Sequence, residues 1–160
     1  MYLRTEVIPE KKLLGKRVSM SFVDNKTFLL WNGFMPRLKE IQNRKGAELF
    51  SLEIYESFSV SDFNPAKEFD KWACVEVTSY DNIPAQMETL VISSGLYAVF
   101  LHRGPASGSE KTYRYIFEKW LPDSEYTVDS RPHFAVMGEK YNKDSPDNEE
   151  EIWIPVRKKQ

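Results

Sequence analysis

The chain has 160 residues, 41% of them hydrophobic and 29% charged, which suits a single folded domain over 1–160. Its net charge of −2 gives no global attraction to nucleic acid or anionic membrane, and no apolar run approaches the ~18 residues of a membrane-spanning helix. Cys74 is the one cysteine, which excludes an internal disulfide, and with only two histidines elsewhere a protein-built zinc site is not expected.

The N-terminal "MYLRTEVIPEKK" lacks the apolar core of a signal peptide, so the expected compartment is the cytoplasm. In "LLGKRVSMSFVD" (13–24), Val18, Met20 and Phe22 alternate with Arg17, Ser19 and Ser21, the period of a half-buried strand. Over 25–42 the period changes. Phe28, Trp31, Met35 and Leu38 fall at helical spacing, Asn25 is placed to cap, and Pro36 should kink or break the helix. "ELFSLEIYE" (48–56) is a strand with Phe50, Leu52 and Ile54 on one face, followed by a Ser/Asp/Asn/Pro loop. "KWACVEVTS" (71–79) is the next strand, with Ala73, Val75 and Val77 inward. A strand-like run spans 87–104, where Gly95 permits a bend. Over 105–122, Tyr113, Ile116, Phe117, Trp120 and Leu121 mark one helical face. Ser107 and Glu110 have capping-box spacing, and Pro122 should stop the helix. Residues 133–139 and 150–158 are strands joined by an acidic turn.

The order strand–helix–strand–strand therefore occurs twice, over about 11–80 and 87–158. "WNGFMP" (31–36) and "FEKWLP" (117–122) share two aromatics, an apolar residue and a proline at the same spacing. Two copies suggest a pseudo-two-fold α+β fold: an antiparallel or mixed sheet with both helices on one face.

The ordered set "MPRLKEI" (35–41), "KWACVEV" (71–77), "GLYAVFLHRGPAS" (95–107), "YIFEKWLP" (115–122), "RPHFAVMGEKY" (131–141) and "EEIWIPV" (150–156) resembles the GyrI-like small-molecule-binding domain. That domain is also the effector-binding half of some AraC-type and MerR-type regulators. The resemblance implies two strand–helix–strand–strand units with a ligand cleft between them. It implies lipophilic ligands, often cationic or planar aromatic, in drug sensing or resistance or in transcription regulation, and no cofactor. Some stand-alone members resemble modulators of DNA gyrase and some hydrolyse reactive small molecules. Both helices belong to the repeat, so no helix-turn-helix is expected, and direct nucleic-acid contact is not implied.

In the family an acidic residue just ahead of the last strand's apolar run faces the cleft, and Glu151 fits that place. Alternation puts Glu151, Trp153 and Pro155 on one face and Ile152, Ile154 and Val156 on the other, which reads as core. Glu151 has a second reading, a solvated member of the Glu149–Glu151 run. A one-residue slip would turn it away and bring Glu150 in. A carboxylate beside an indole suits a lipophilic cation. Trp31, Phe34, Phe117 and Trp120 are related by the repeat, and each either anchors a helix or lines the cleft. Trp72 opens its strand as Trp153 opens the last and could form the opposite wall, while Tyr55 shares a face with Glu53 and Ser51. His102 reads as a strand-end histidine and Cys74 as a buried filler. The expectation is a binding domain for a small lipophilic ligand. One alternative is a hydrolase in which Glu151 steers water and Tyr55 assists. Another is a modulator with a protein partner, gyrase or a regulator.

Overall fold

The computed structural model describes residues 1–59, 61, 63–138 and 145–160. Nine strands are seen: β1 (Tyr2–Ile8), β2 (Lys11–Met20), β3 (Leu49–Ile54), β4 (Phe69–Glu76), β5 (Glu88–Ile92), β6 (Gly95–Arg103), β7 (Tyr126–Val128), β8 (His133–Met137) and β9 (Glu149–Lys158). Every pairing is antiparallel, in the order β1-β6-β9-β8-β3-β4-β2-β5, with β7 added to the end of β9.

That order reads alike from both ends. The triplet β2-β4-β3 mirrors β6-β9-β8 across the central β3–β8 pair, and each triplet carries its helix between its first and second strands in sequence. The fold is the duplicated strand–helix–strand–strand arrangement that the sequence suggests. It adds a feature that the period did not reveal. β1 precedes β2 yet pairs with β6, and β5 precedes β6 yet pairs with β2, so the leading strands are exchanged between the units. Only Pro9-Glu10 and Ser93-Ser94 link these strands, and such links span at most about 11 Å. The two ends of the sheet are therefore drawn together, and the sheet curls.

Curling gives the sheet two buried faces. The concave face closes on Ile8, Leu13, Phe50, Leu52, Trp72, Ile92, Tyr97, Val99, Phe134 and Trp153. The other face carries the helices over two separate apolar layers. Under α1 (Thr27–Phe34) lie Leu14, Ala73, Val75 and Val77; under α2 (Ser109–Tyr115) and the π turn Ile116–Trp120 lie Ala98, Phe100, Ile152 and Ile154.

Local signals act largely as expected, with some shifts. The Asn25 side chain accepts from the Thr27 amide at 2.9 Å, and α1 gives way to a 3-10 turn at Met35, one residue before Pro36. The second helix is composite. Ser107 makes no capping box, and Pro122 lies in the first turn of a terminal helical piece, α3 (Leu121–Asp123), instead of stopping the helix. The 87–104 run divides into β5 and β6. Position 139 of the expected 133–139 strand lies outside the described residues. β9 is not an edge strand, but its β8 partner ends opposite Trp153, so Pro155 lacks an amide where none is needed on that side.

Candidate functional site

Between the two helix-covered layers, the central strands present three cross-strand rows. The middle row is Ala73–Ser51–Ala135, small side chains that leave a trough between α1 and α2. On one side is the row Lys71–Glu53–His133; on the other is Met137–Glu150–His102. Neighbouring rows are two residues apart along each strand, so the outer rows are separated by about 13 Å.

The trough is charged and dry at once. Lys71 Nζ donates to Glu53 Oε1 at 2.7 Å, with both side chains almost buried. Glu150 has no such partner among the described residues. Burial pushes its carboxyl above the usual range, opposed by His102 and Lys71 and reinforced by Glu53. His102 Nε2 lies 3.0 Å from the Pro105 carbonyl oxygen and must donate to it. Its Nδ1 lies 2.8 Å from Thr112 Oγ1, so His102 ties α2 to β6. Burial pushes His133 down to about 3, so it is neutral at ordinary pH. Among the described residues, Lys71 is paired with Glu53, and Glu150 is the trough acid that has no ammonium beside it.

Aromatic rings close over the His133 end. Phe58, from the loop after β3, sits 5.0 Å from Tyr55, 4.8 Å from His133 and 5.0 Å from Phe117 of the π turn. Phe117 is stacked with Tyr113 of α2 at 6.5 Å. Burial raises the Tyr55 phenol well above its ordinary value, so it stays a neutral hydroxyl.

The structure divides the expected site residues. Tyr55 and Phe117 meet in the trough. Phe34 is wholly buried under α1, and Trp31 lies edge-on to it at 5.9 Å. Trp120 packs edge-on to Phe100 at 5.0 Å in the layer beneath the second helix and is stacked on Tyr2 at 4.9 Å. Trp72 and Trp153 belong to the concave core. Glu151 does share a face with Trp153, whose Nε1 donates to it at 3.3 Å, but that face is turned from the helices, and Arg4 already supplies a cation there at 3.6 Å. The trough-facing acid is Glu150, in phase with Ile152 and Ile154 beneath α2. The residues that sequence reasoning did not assign to the site are Glu150, Lys71, Glu53, His133 and Phe58. The usable signal was Ile152, Ile154 and Val156. They are core, but core beneath a helix, so the acid in phase with them faces the trough.

A separate surface hollow of about 410 Å³ lies at the end of α1, lined by Met35, Leu38, Lys39, Ile41 and Arg44. It contains neither a carboxylate nor a ring. Among the described residues no group of metal-ligating side chains occurs, and no helix is long and apolar enough to cross a membrane.

The family model described as the GyrI-like small molecule binding domain matches residues 1–157. No curated protein matches the sequence. Among solved structures, the EcmrR C-terminal domain is similar at TM-score 0.72 and 21% identity, covering 99% of each chain. A putative transcription regulation protein from Staphylococcus aureus MU50 is similar at TM-score 0.69 and 19% identity, covering 98% of each. SAV2435, solved bound to tetraphenylphosphonium, is similar at TM-score 0.67 and 19% identity, covering 98% of this chain and 94% of that one. These likenesses show the fold.

Proposed function

The chain belongs to the GyrI-like family of small-molecule-binding domains, and from that premise we propose that it captures lipophilic monocations in the trough between α1 and α2. The observation that carries this reading is Glu150: a desolvated carboxyl with no ion-pair partner among the described residues, in a trough flanked by the rings of Tyr55 and Phe117. An isolated buried carboxylate is costly, and a cation seated beside it removes that cost. The Tyr55 and Phe117 rings add cation–π attraction of about 0.5–2 kcal/mol, more when water is excluded.

Charge count selects the ligand's valence. Among the described residues Lys71 is taken up by Glu53, and Glu150 is the acid left to meet a ligand's single positive charge. The tetraphenylphosphonium bound by SAV2435 is a cation of this class. The setting we propose is cytoplasmic, with the domain sensing or sequestering such compounds and reporting occupancy to a regulator or other protein partner.

The reading is tested by calorimetric titration of tetraphenylphosphonium against triphenylphosphine oxide, a neutral aryl compound of similar shape. The cation should bind at least about tenfold more tightly, one charge-assisted contact's worth. Equal affinity for the two would remove charge from the recognition.

A further inference from the structure

The rings of the trough do not end at Phe58. From Tyr55 they continue to Phe69 at 4.9 Å, from Phe69 to Phe22 at 5.0 Å, and from Phe22 to Phe63 at 5.5 Å. The run leads from buried rings to exposed ones: Phe69 is 6% exposed, Phe22 46% and Phe63 56%. Phe22 follows β2 and Phe63 lies in the β3–β4 loop, and the two segments are held together by the Val23 amide donating to the Pro65 carbonyl at 3.2 Å. Between them is a hollow of about 110 Å³, with Phe22, Phe58, Phe63 and Phe69 in its lining and Glu56 and Glu68 at its rim. The rim also carries Lys67, whose ammonium donates to Ser57 Oγ at 3.1 Å, so among the described lining residues acid outnumbers base.

Exposed phenylalanines in mutual contact are an unfavourable surface unless something uses them. Here they form a hollow with room for an aryl ring, surplus negative charge at its mouth, and unbroken ring contact with the trough. Phe58 lines the hollow and also fills the trough against Phe117 and His133. It is thus both the inner wall of the hollow and the present occupant of the trough.

We propose that this hollow is a second, outer binding site for aryl-bearing lipophilic monocations, arranged in series with the trough, with Phe58 as the partition between them. The proposal rests on the reading that the trough is the inner cation site. A ligand docks first against Phe22 and Phe63, steered by Glu56 and Glu68. It passes inward when Phe58 leaves its place among Tyr55, Phe117 and His133. Affinity for the trough is lowered by the fraction of time that Phe58 fills it.

The test is stopped-flow mixing of the full chain with ethidium, a planar lipophilic monocation whose fluorescence rises on leaving water, together with equilibrium titration. In the unmodified protein the observed rate should level off with ethidium concentration as the outer site fills. The Phe22→Ala/Phe63→Ala variant, altered only at exposed side chains, should lose that plateau and take up ethidium roughly fivefold or more slowly, with final affinity held within about twofold. Phe58→Ala should also lose the plateau but take up ethidium about fivefold or more faster and bind it more tightly. An unchanged plateau and rate in Phe22→Ala/Phe63→Ala would overturn the outer site while leaving the trough intact. Glu150→Gln separates the two readings. It should weaken final affinity yet keep the fast outer step, and a Glu150→Gln protein with unaltered final affinity would overturn the trough reading instead.

Discussion

Glu150 and Glu151 are consecutive on β9 and serve opposite faces of the sheet. Glu150 lies across from His102 and Met137 in the trough, whereas Glu151 accepts from Trp153 Nε1 at 3.3 Å and pairs with Arg4 at 3.6 Å. Arg4 also stands over the Trp153 ring at 5.4 Å and bonds Glu6. This cluster fastens the exchanged strand β1. Its charged side chains are more than one-third exposed, so Arg4→Ala should lower stability by only about 1 kcal/mol and leave cation affinity unchanged, as measured by urea unfolding and titration.

Cation affinity should rise with pH. A bound cation favours the ionised form of Glu150, and burial has moved that ionisation upward from 4.5. Affinity therefore climbs as pH passes through the raised value and levels off above it, with proton release on binding in that window. Stability of the ligand-free protein has the opposite trend from this group: full below 4.5, and lost as pH rises through the folded value. Calorimetry in two buffers of different ionisation enthalpy measures the proton directly, and an affinity flat with pH would contradict the assignment.

The Lys71–Glu53 pair should be structural in the free protein. Lys71→Met strands a nearly buried carboxylate and should cost about 3–5 kcal/mol in urea unfolding, with Glu53→Gln/Lys71→Met recovering most of the loss. If the double variant is as unstable as the single one, packing of the lysine stem and not charge is what matters.

His133 provides an acid-sensitive element. Its folded value near 3 lies below the ordinary 6.5, so its contribution is full above 6.5 and is lost as pH falls toward 3. Over that range it supplies a stability slope approaching 1.4 kcal/mol per pH unit. His133→Phe should flatten the slope of unfolding free energy between those limits; an unchanged slope would mean that the imidazole is hydrated.

Much of this fold is legible in the sequence because each element carries its own period. Ala73 and Val75 on β4, and Ile116 and Phe117 in the second helix, declare strand and helix directly. The exchange of β1 and β5 is not legible. "YLRTEVI" pairs with a strand some ninety positions onward, and nothing local marks a partner. The face of Glu151 is not legible for a related reason. Read with a single core, the apolar phase of β9 puts the out-of-phase carboxylate, Glu151, on the cleft side, whereas the structure sets it on the concave face with Trp153 and Arg4. In a curled sheet both phases are buried, one beneath α2 and one in the concave face, and alternation alone cannot say which faces the trough. The position of Tyr55 is legible because it continues the β3 face of Glu53 and Ser51. That of Phe58 is not, because a loop has no period.

The central claim is that Glu150, and not its neighbour, recognises the ligand's charge. It is tested most directly by titrating tetraphenylphosphonium into the unmodified chain, Glu150→Gln and Glu151→Gln under one set of conditions. Glu150→Gln should weaken binding roughly 10- to 100-fold, the loss of one desolvated charge contact, while Glu151→Gln stays within about twofold. The opposite ranking, or equal affinity in all three, would contradict the account.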